Sequence, residues 1–298
     1  MRNNKYNFRC AILMATCNGV RFLNEQIQSI QSQYNCSVNI YFSDDISSDD
    51  TRRILIENNC IDLNDDKVKF GSAASNFFGL IENFSIADQF DFIALADQDD
   101  IWLPNKLNAA IERLISTQSG AYSGSYYSYY PDQKKIKYRN KKFTQTSNSH
   151  LFRSPGPGFT FVFDNNTFKL LREDVIKYQE VLPKVKWHDW FLFALVIARK
   201  VKWYIDENPY TLYRQHEKND TGQLDSIKQL KFRLNFLFNG FYRQQVMLIS
   251  KVNDMGEISH FFQRFSILDR FKLIRFVPQM RCSISERVVL LFWLMFGK

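Results

Sequence analysis

A chain of 298 residues, 45% hydrophobic and 16% aromatic, is long enough to bury a large core without disulfides or structural metal, and its few Gly and Pro exclude a low-complexity or disordered polymer. Five scattered cysteines, Cys10, Cys17, Cys36, Cys60 and Cys282, form no CxxC pair, which argues against a disulfide framework or thiolate zinc site and fits a reducing cytosol. The net charge of +8 suits nucleic acid, anionic lipid or a phosphorylated substrate and does not choose among them.

The polar, basic residues 1–9 lead straight into a strand and contain no signal-peptide core. Residues 9–15 (RCAILMA) form an apolar run that ends in the turn Thr16-Cys17-Asn18-Gly19, and Phe22, Ile27, Ile30 and Tyr34 then recur at near-helical spacing. A second strand is expected over 38–42, ending at Ser43-Asp44-Asp45, with a helix N-cap at Ser48-Asp49-Asp50-Thr51. A third strand over 67–70, a helix over 77–87 and a fourth strand over 92–96 complete an alternation that predicts an α/β fold, a mostly parallel sheet with helices on both faces. Beyond a helix at 105–117, residues 122–142 alternate aromatic and basic side chains and read as irregular strands or a mobile loop. A strand at 159–163, a helix from about Asn166, an apolar helix led by Trp187-His188-Asp189-Trp190, and a strand at 201–205 follow.

A boundary is expected near residue 222, giving a catalytic domain over 1–221 and a basic amphipathic helical region over 222–298. That second region holds twelve Lys or Arg against five Asp or Glu. Its aromatic faces, with Phe232, Phe236 and Leu237 and later Phe271, Ile274 and Phe276, fit either packing on the catalytic half or lying on an anionic membrane. Its longest apolar run, 288–296, is about half the roughly 20 residues of a membrane span, so the expected location is the cytoplasm, peripheral to the inner face of the membrane.

In such sheets ligands bind beyond the carboxyl ends of the strands. Thr16, Asp45 and Asp97 all stand at expected strand ends and would converge on one crevice. Asp97-Gln98-Asp99-Asp100 gathers three carboxylates that repel one another unless water or a cation compensates them. Hard oxygen ligands of this kind suit Mg2+ or Mn2+, with a diphosphate completing the shell; an acidic turn capping the next helix is the alternative.

These motifs resemble family 2 glycosyltransferases, which have the GT-A fold. Ala15-Thr16-Cys17-Asn18-Gly19 is similar to the family's A-T-Y-N-G, and Ser43-Asp44-Asp45 followed by Ser47-Ser48-Asp49-Asp50-Thr51 to S-D-D-G-S-T-D-x-T. The run Asp97-Gln98-Asp99-Asp100-Ile101-Trp102-Leu103-Pro104-Asn105-Lys106 is similar to D-Q-D-D-x-W-x-P-x-K of bacterial rhamnosyltransferases and other O-antigen and capsule transferases. Cys17 and Ile46 depart from the family's Tyr and Gly, at positions that supply no charged ligand.

The resemblance implies that Ala15, Thr16, Asn18 and Asp45 hold the donor nucleotide, that Asp97 faces ribose or metal, and that Asp99 binds the metal. It implies that Asp189 is the general base of an inverting displacement, that His216 touches metal or diphosphate, and that Arg214 offsets charge on the leaving group. Trp102, His188 and Gly158 of the Pro155-Gly156-Pro157-Gly158 loop become candidate substrate contacts. Each has a plainer reading: a local turn for Asp45, a helix N-terminal acid for Asp189, a solvated loop for His216, a tight turn for Gly158. The expected activity is transfer of a hexose or deoxyhexose, with L-rhamnose from dTDP-rhamnose ahead of a UDP-hexose, to a saccharide, polyprenyl-linked in the leading case, in cell-surface polysaccharide synthesis. A basic nucleic-acid or anionic-surface binder without catalysis is the alternative from another class, and it leaves the carboxylates at the strand ends unexplained.

Overall fold

The computed structural model describes residues 8–217, 239–252 and 257–297. The expected boundary at 222 and the residues Phe232, Phe236 and Leu237 lie outside them.

The first half alternates as the sequence suggests: β1 (Phe8–Thr16), α1 (Val20–Gln31), β2 (Cys36–Asp44), α2 (Thr51–Glu57), a short β3 (Ile61–Asp62), α3 (Ala73–Asn83) and β4 (Phe92–Ala96). The buried face of α1 is Leu23, Gln26, Ile27 and Ile30, so the apolar stripe runs one residue out of register with the expected Phe22, and Tyr34 lies exposed beyond the helix. Residues 67–70 form no strand; the short β3 lies upstream, and Val68 is held instead by the Asn64 side chain, whose Oδ1 accepts from the Val68 amide at 2.9 Å.

Then come β5 (Ile101–Trp102), α4 (Lys106–Thr117), β6 (Ala121–Tyr130), β7 (Lys135–Arg139), β8 (Val162–Asp164), α5 (Asn165–Lys177), α6 (His188–Ala198) and β9 (Trp203–Arg214). Of the two readings of 122–142, strands hold: β6 and β7 pair as a regular antiparallel hairpin that ends at Arg139. Its alternation of Tyr with Ser and Lys is the period-2 pattern of a strand pair, with Tyr127 opposite Tyr138.

One sheet runs β3-β2-β1-β4-β8-β6-β9-β5, with β7 beside β6. The pairings β3-β2, β2-β1, β1-β4 and β6-β9 are parallel, whereas β8 joins antiparallel to β4 and β6, and β5 joins antiparallel to β9. The parallel part is therefore smaller than expected, and the antiparallel strands matter for the site. Register aligns Thr16 with Asp44 and Met14 with Ala96, so the ends of β1, β2 and β4 open on one edge. The β5-β9 pairing sets Ile101 opposite Leu212 and thereby carries the end of β9 up to the acidic cluster.

The C-terminal helices are α7 (Phe241–Ser250), α8 (Glu257–Arg264), α9 (Ile267–Ile274), α10 (Val277–Met280) and α11 (Ile284–Phe296). They share the core of the catalytic half: Tyr242 stacks on Trp190 at 5.5 Å, donates its hydroxyl to the Phe152 carbonyl at 2.7 Å, and meets Trp293 edge-on. Arg153 pairs with Glu286 at 2.8 Å across the same seam. Of the aromatic faces noted in the sequence, Ile274 and Phe276 are half-buried on this core and Phe271 is exposed. No helix among the described residues is long and apolar enough to cross a membrane.

Candidate active site

At the open edge of β1, β2 and β4 lies a cavity of about 320 Å³ lined by Ala15, Thr16, Cys17, Asp45, Asp97 and Asp99, with the first turns of α3 and Tyr213 closing it. A second cavity shares Cys17, Gln98 and Asp99 with the first and is lined further by Asn18, Phe22, Arg214 and His216. Asp99 therefore stands on the wall between them.

The loops that make this wall are tied together by polar side chains. Asn18, at φ 49°, accepts from the Ser48 amide (2.9 Å) and hydroxyl (3.0 Å) through its Oδ1, while its own amide donates to the Ser47 hydroxyl at 2.7 Å. Asn tolerates this left-handed conformation better than most side chains, so it fixes the strand-to-helix turn. Thr16 is buried and donates to Asp44 at 2.9 Å. Asp45 accepts from the backbone amides of Phe70 and Gly71, at 2.5 and 2.9 Å. The remote 70–71 loop, rather than a local turn, uses this carboxylate, which still borders the cavity.

Gln98 was not singled out by its sequence context, yet it grips the first loop by both ends of its amide. Its Oε1 accepts from the Cys17 amide and its Nε2 donates to the Cys17 carbonyl, each at 2.9 Å. A Cβ on Gly19 would stand 2.2 Å from Gln98 Oε1, which explains the glycine. Gly19→Ala is expected to break both Cys17–Gln98 bonds and lower stability by about 2 kcal/mol, at about 1 kcal/mol per hydrogen bond, read as a lower thermal midpoint. An unchanged midpoint would mean that Gln98 can leave the loop at no cost.

His216 reaches Asp99 directly, its Nε2 lying 2.7 Å from Asp99 Oδ2. Arg214 holds the same residue from behind: its Nε donates to the Asp99 carbonyl at 3.0 Å, its outer nitrogen pairs with Glu25, and Phe22 lies 4.6 Å beneath the guanidinium. The Arg214 contact is thus to Asp99 first, at the edge of the second cavity. Asp97 is anchored elsewhere, since Gln26 donates to its carbonyl at 2.8 Å. No group of three or more His, Cys, Asp or Glu side chains able to hold a metal occurs among the described residues, so Asp97 lines the cavity without joining Asp99 and His216 in a three-ligand cluster.

Asp100 is fully buried, and burial, reinforced by Asp99 and Asp97, pushes its carboxyl well above the usual range. Lys106 is buried beside it, burial lowering its ammonium, and its Nζ lies 3.1 Å from the centre of the Trp102 ring. Trp102 is packed beneath the acidic turn: it is 2% exposed and lines neither cavity.

On the opposite side, Phe77 of the cavity wall stacks on His188 at 4.2 Å. Burial lowers His188 to about 3, so the ring is neutral, and its Nε2 is enclosed against Gly158, where a Cβ would come within 2.2 Å. Gly158 makes room for His188, and neither lines either cavity; His188 borders the first cavity only through Phe77. Asp189, in the first turn of α6, accepts from the Trp190 amide at 2.8 Å and keeps part of its surface open to solvent. Burial pushes its carboxyl up to about 6, against the opposing pull of Ser154, the Trp190 amide and Lys141.

The family model described as glycosyl transferase family 2 matches residues 11–178 of this chain. The chain belongs to glycosyl transferase family 2. It is 35% identical over 242 residues to the dTDP-rhamnosyl transferase RfbG of Shigella flexneri, an alignment that covers 80% of this chain and 83% of that protein. Among solved structures it is similar to S. aureus TarS 1-349 in complex with UDP-GlcNAc, at a TM-score of 0.57 and 12% identity, covering 95% of this chain and 79% of the other. The UDP complex of the same TarS fragment aligns at a TM-score of 0.52, again at 12% identity, covering 86% and 87% of the two chains. These likenesses establish the GT-A fold, and with RfbG they make the chain a nucleotide-sugar glycosyltransferase of the rhamnosyltransferase-like kind. The alternative of a non-catalytic basic binder falls with that finding.

Proposed function

We propose that this glycosyltransferase moves L-rhamnose from dTDP-rhamnose, with inversion and with a divalent metal, to a saccharide acceptor carried on a polyprenyl lipid in cell-surface polysaccharide synthesis. The observation that carries the mechanism is the placement of Asp99 and of the start of α6 about the two cavities. Asp99 stands on the wall between them with His216 against it, and Asp189, which itself lines neither cavity, follows His188, whose ring stacks on Phe77 of the first cavity's wall. Similarity to RfbG supports the donor. A UDP-hexose is the second reading, because the TarS structure of the same fold holds UDP-GlcNAc.

In this reading the nucleotide lies along Ala15, Thr16 and Asp45, with Asn18 fixing the loop and Asp97 at the ribose. Asp99 and His216 fit Mn2+ or Mg2+: a carboxylate oxygen and an imidazole nitrogen face each other at hydrogen-bond distance, and so few protein ligands leave positions for diphosphate oxygens. Such an ion, when bound, neutralises the charge that grows on the departing diphosphate. Arg214 keeps Asp99 aimed and adds a fixed positive charge nearby. Asp189 takes the proton of the acceptor hydroxyl as that oxygen attacks the anomeric carbon on the face away from the nucleotide.

A base must be ionised to act. With Asp189 raised to about 6, the rate at saturating substrates should climb as pH passes upward through about 6 and level off above it. A pH series of kcat checks this, and a profile flat through that range would remove Asp189 from the role. The acceptor reading is tested by supplying polyprenyl-linked and free oligosaccharides side by side; transfer to neither, with donor binding intact, would sink it.

A further inference from the structure

Two C-terminal helices turn apolar side chains to solvent in a pattern that neither core packing nor the donor site explains. On α11, Ile284, Val288, Phe292 and Phe296 are between 53% and 78% exposed and fall four residues apart, one continuous stripe roughly 18 Å long, flanked by Val289 and Met295. On α9, Ile267, Leu268 and Phe271 are 54% to 73% exposed. Leu268, Phe271, Lys272 and Arg275 are spaced i, i+3, i+4 and i+7, so apolar and cationic residues share one outward face. The two helices are locked together: Arg270 of α9 donates to the Gly297 carbonyl just past α11 at 2.7 Å, and Leu273, Leu290, Trp293 and Leu294 are buried.

Charge selects the occupant. Between 257 and 297 there are six Lys or Arg against three acids. Asp269 is buried in the capping box of α9 with Ser266, and Glu286 is engaged by Arg153. Lys272 and Arg275 are exposed on the outward face that carries Leu268 and Phe271, while Arg264 lies 3.6 Å from Asp269. A protein–protein interface ordinarily carries a mixed polar rim around its apolar centre. Apolar stripes edged by cations instead match the layering of an anionic bilayer, acyl chains below and phosphates at the level of the cations. A cavity of about 300 Å³ between Tyr242, Arg281, Val289 and Trp293 opens beside the stripe and offers an acyl chain a place to enter.

We propose that α9 and α11 form a docking surface for an anionic lipid bilayer, with Leu268, Phe271, Val288, Phe292 and Phe296 entering the boundary between headgroups and acyl chains and Lys272 and Arg275 lying among the headgroup phosphates. This goes beyond the transferase reading and uses no residue of the donor site.

Flotation of the full chain with vesicles of phosphatidylcholine alone, and with equal parts phosphatidylcholine and phosphatidylglycerol, tests it. The wild type is expected to float with the anionic vesicles about tenfold more than with the neutral ones, and less as salt is raised. The pair Val288→Glu with Phe292→Glu should abolish flotation, and Lys272→Gln with Arg275→Gln should remove the preference for anionic vesicles. Leu268→Glu with Phe271→Glu, on the other helix, guards against a fold defect peculiar to α11. Nucleotide binding by thermal shift without vesicles should be the same in all variants. Wild type left at the bottom of both gradients, or Val288→Glu with Phe292→Glu floating undiminished, overturns the proposal. So does sedimentation showing a wild-type dimer that the α11 variant dissociates, since a second copy would then cover the face. Flotation without binding of any nucleotide sugar supports the docking surface while sinking the transferase reading, so the two fail separately.

Discussion

Asp189→Asn is expected to lower the rate of sugar transfer by about 10²- to 10⁴-fold, the usual worth of a positioned general base, while leaving donor affinity unchanged. The substitution keeps size and the hydrogen bond from the Trp190 amide, which Asp189 accepts at 2.8 Å, so the helix start should survive. What it removes is the ability to take a proton. Three features set that ability. Burial raises the carboxyl to about 6, which makes it a better base than a surface Asp while leaving it ionised at neutral pH. Ser154, the Trp190 amide and Lys141 stop the shift from going further. His188, neutral and stacked on Phe77, places the first turn of α6 beside the cavity without adding a competing charge. The check is steady-state kinetics together with donor titration. Loss of donor binding in step with the rate would mean that the variant damaged the site as a whole.

Asp99→Ala should cost roughly 4 kcal/mol of transition-state stabilisation, about a thousandfold in rate, and should abolish any strengthening of donor binding by Mn2+. Asp99 turns its carboxylate to His216 at hydrogen-bond distance, and Arg214 is bound to its backbone, so its side chain alone is removed. His216→Ala is expected to act in the same direction and more mildly, because the carboxylate remains. Titration of donor with and without Mn2+ in wild type and both variants separates metal loss from general damage. Metal-strengthened donor binding that persisted in Asp99→Ala would assign the ion to other residues.

How far the sequence carried this reading depended on the range of the interactions concerned. The strand-end positions of Thr16, Asp45 and Asp97 were legible because apolar runs followed by polar turns are local patterns, and the parallel register then brings them to one edge. The pairing of His216 with Asp99 spans more than a hundred residues and depends on β5 lying antiparallel to β9; only the resemblance of the motifs suggested it. The 122–142 stretch could be read only as irregular strands or a mobile loop, because charged and aromatic residues alternate there without apolar bulk, and its pairing rests on the register of β7 on β6. Trp102 and Gly158 sat inside motifs whose other residues line or border the cavities, and no sequence pattern distinguishes a residue that supports a site from one that lines it. Gln98 was hidden for the opposite reason: an uncharged amide between two acids carries no signal until its two bonds to Cys17 are seen. The exposed stripe of α11 read as an ordinary apolar run, since exposure is set by which face the core takes.

The measurement that bears most directly on the whole account is calorimetric titration of the wild-type chain with dTDP-rhamnose, UDP-GlcNAc and a GDP-hexose, each with Mn2+ and with a chelator. The account predicts that dTDP-rhamnose binds tightest and that the chelator removes most of that affinity. Equal affinity with and without metal, or no binding of any of the three, would contradict it.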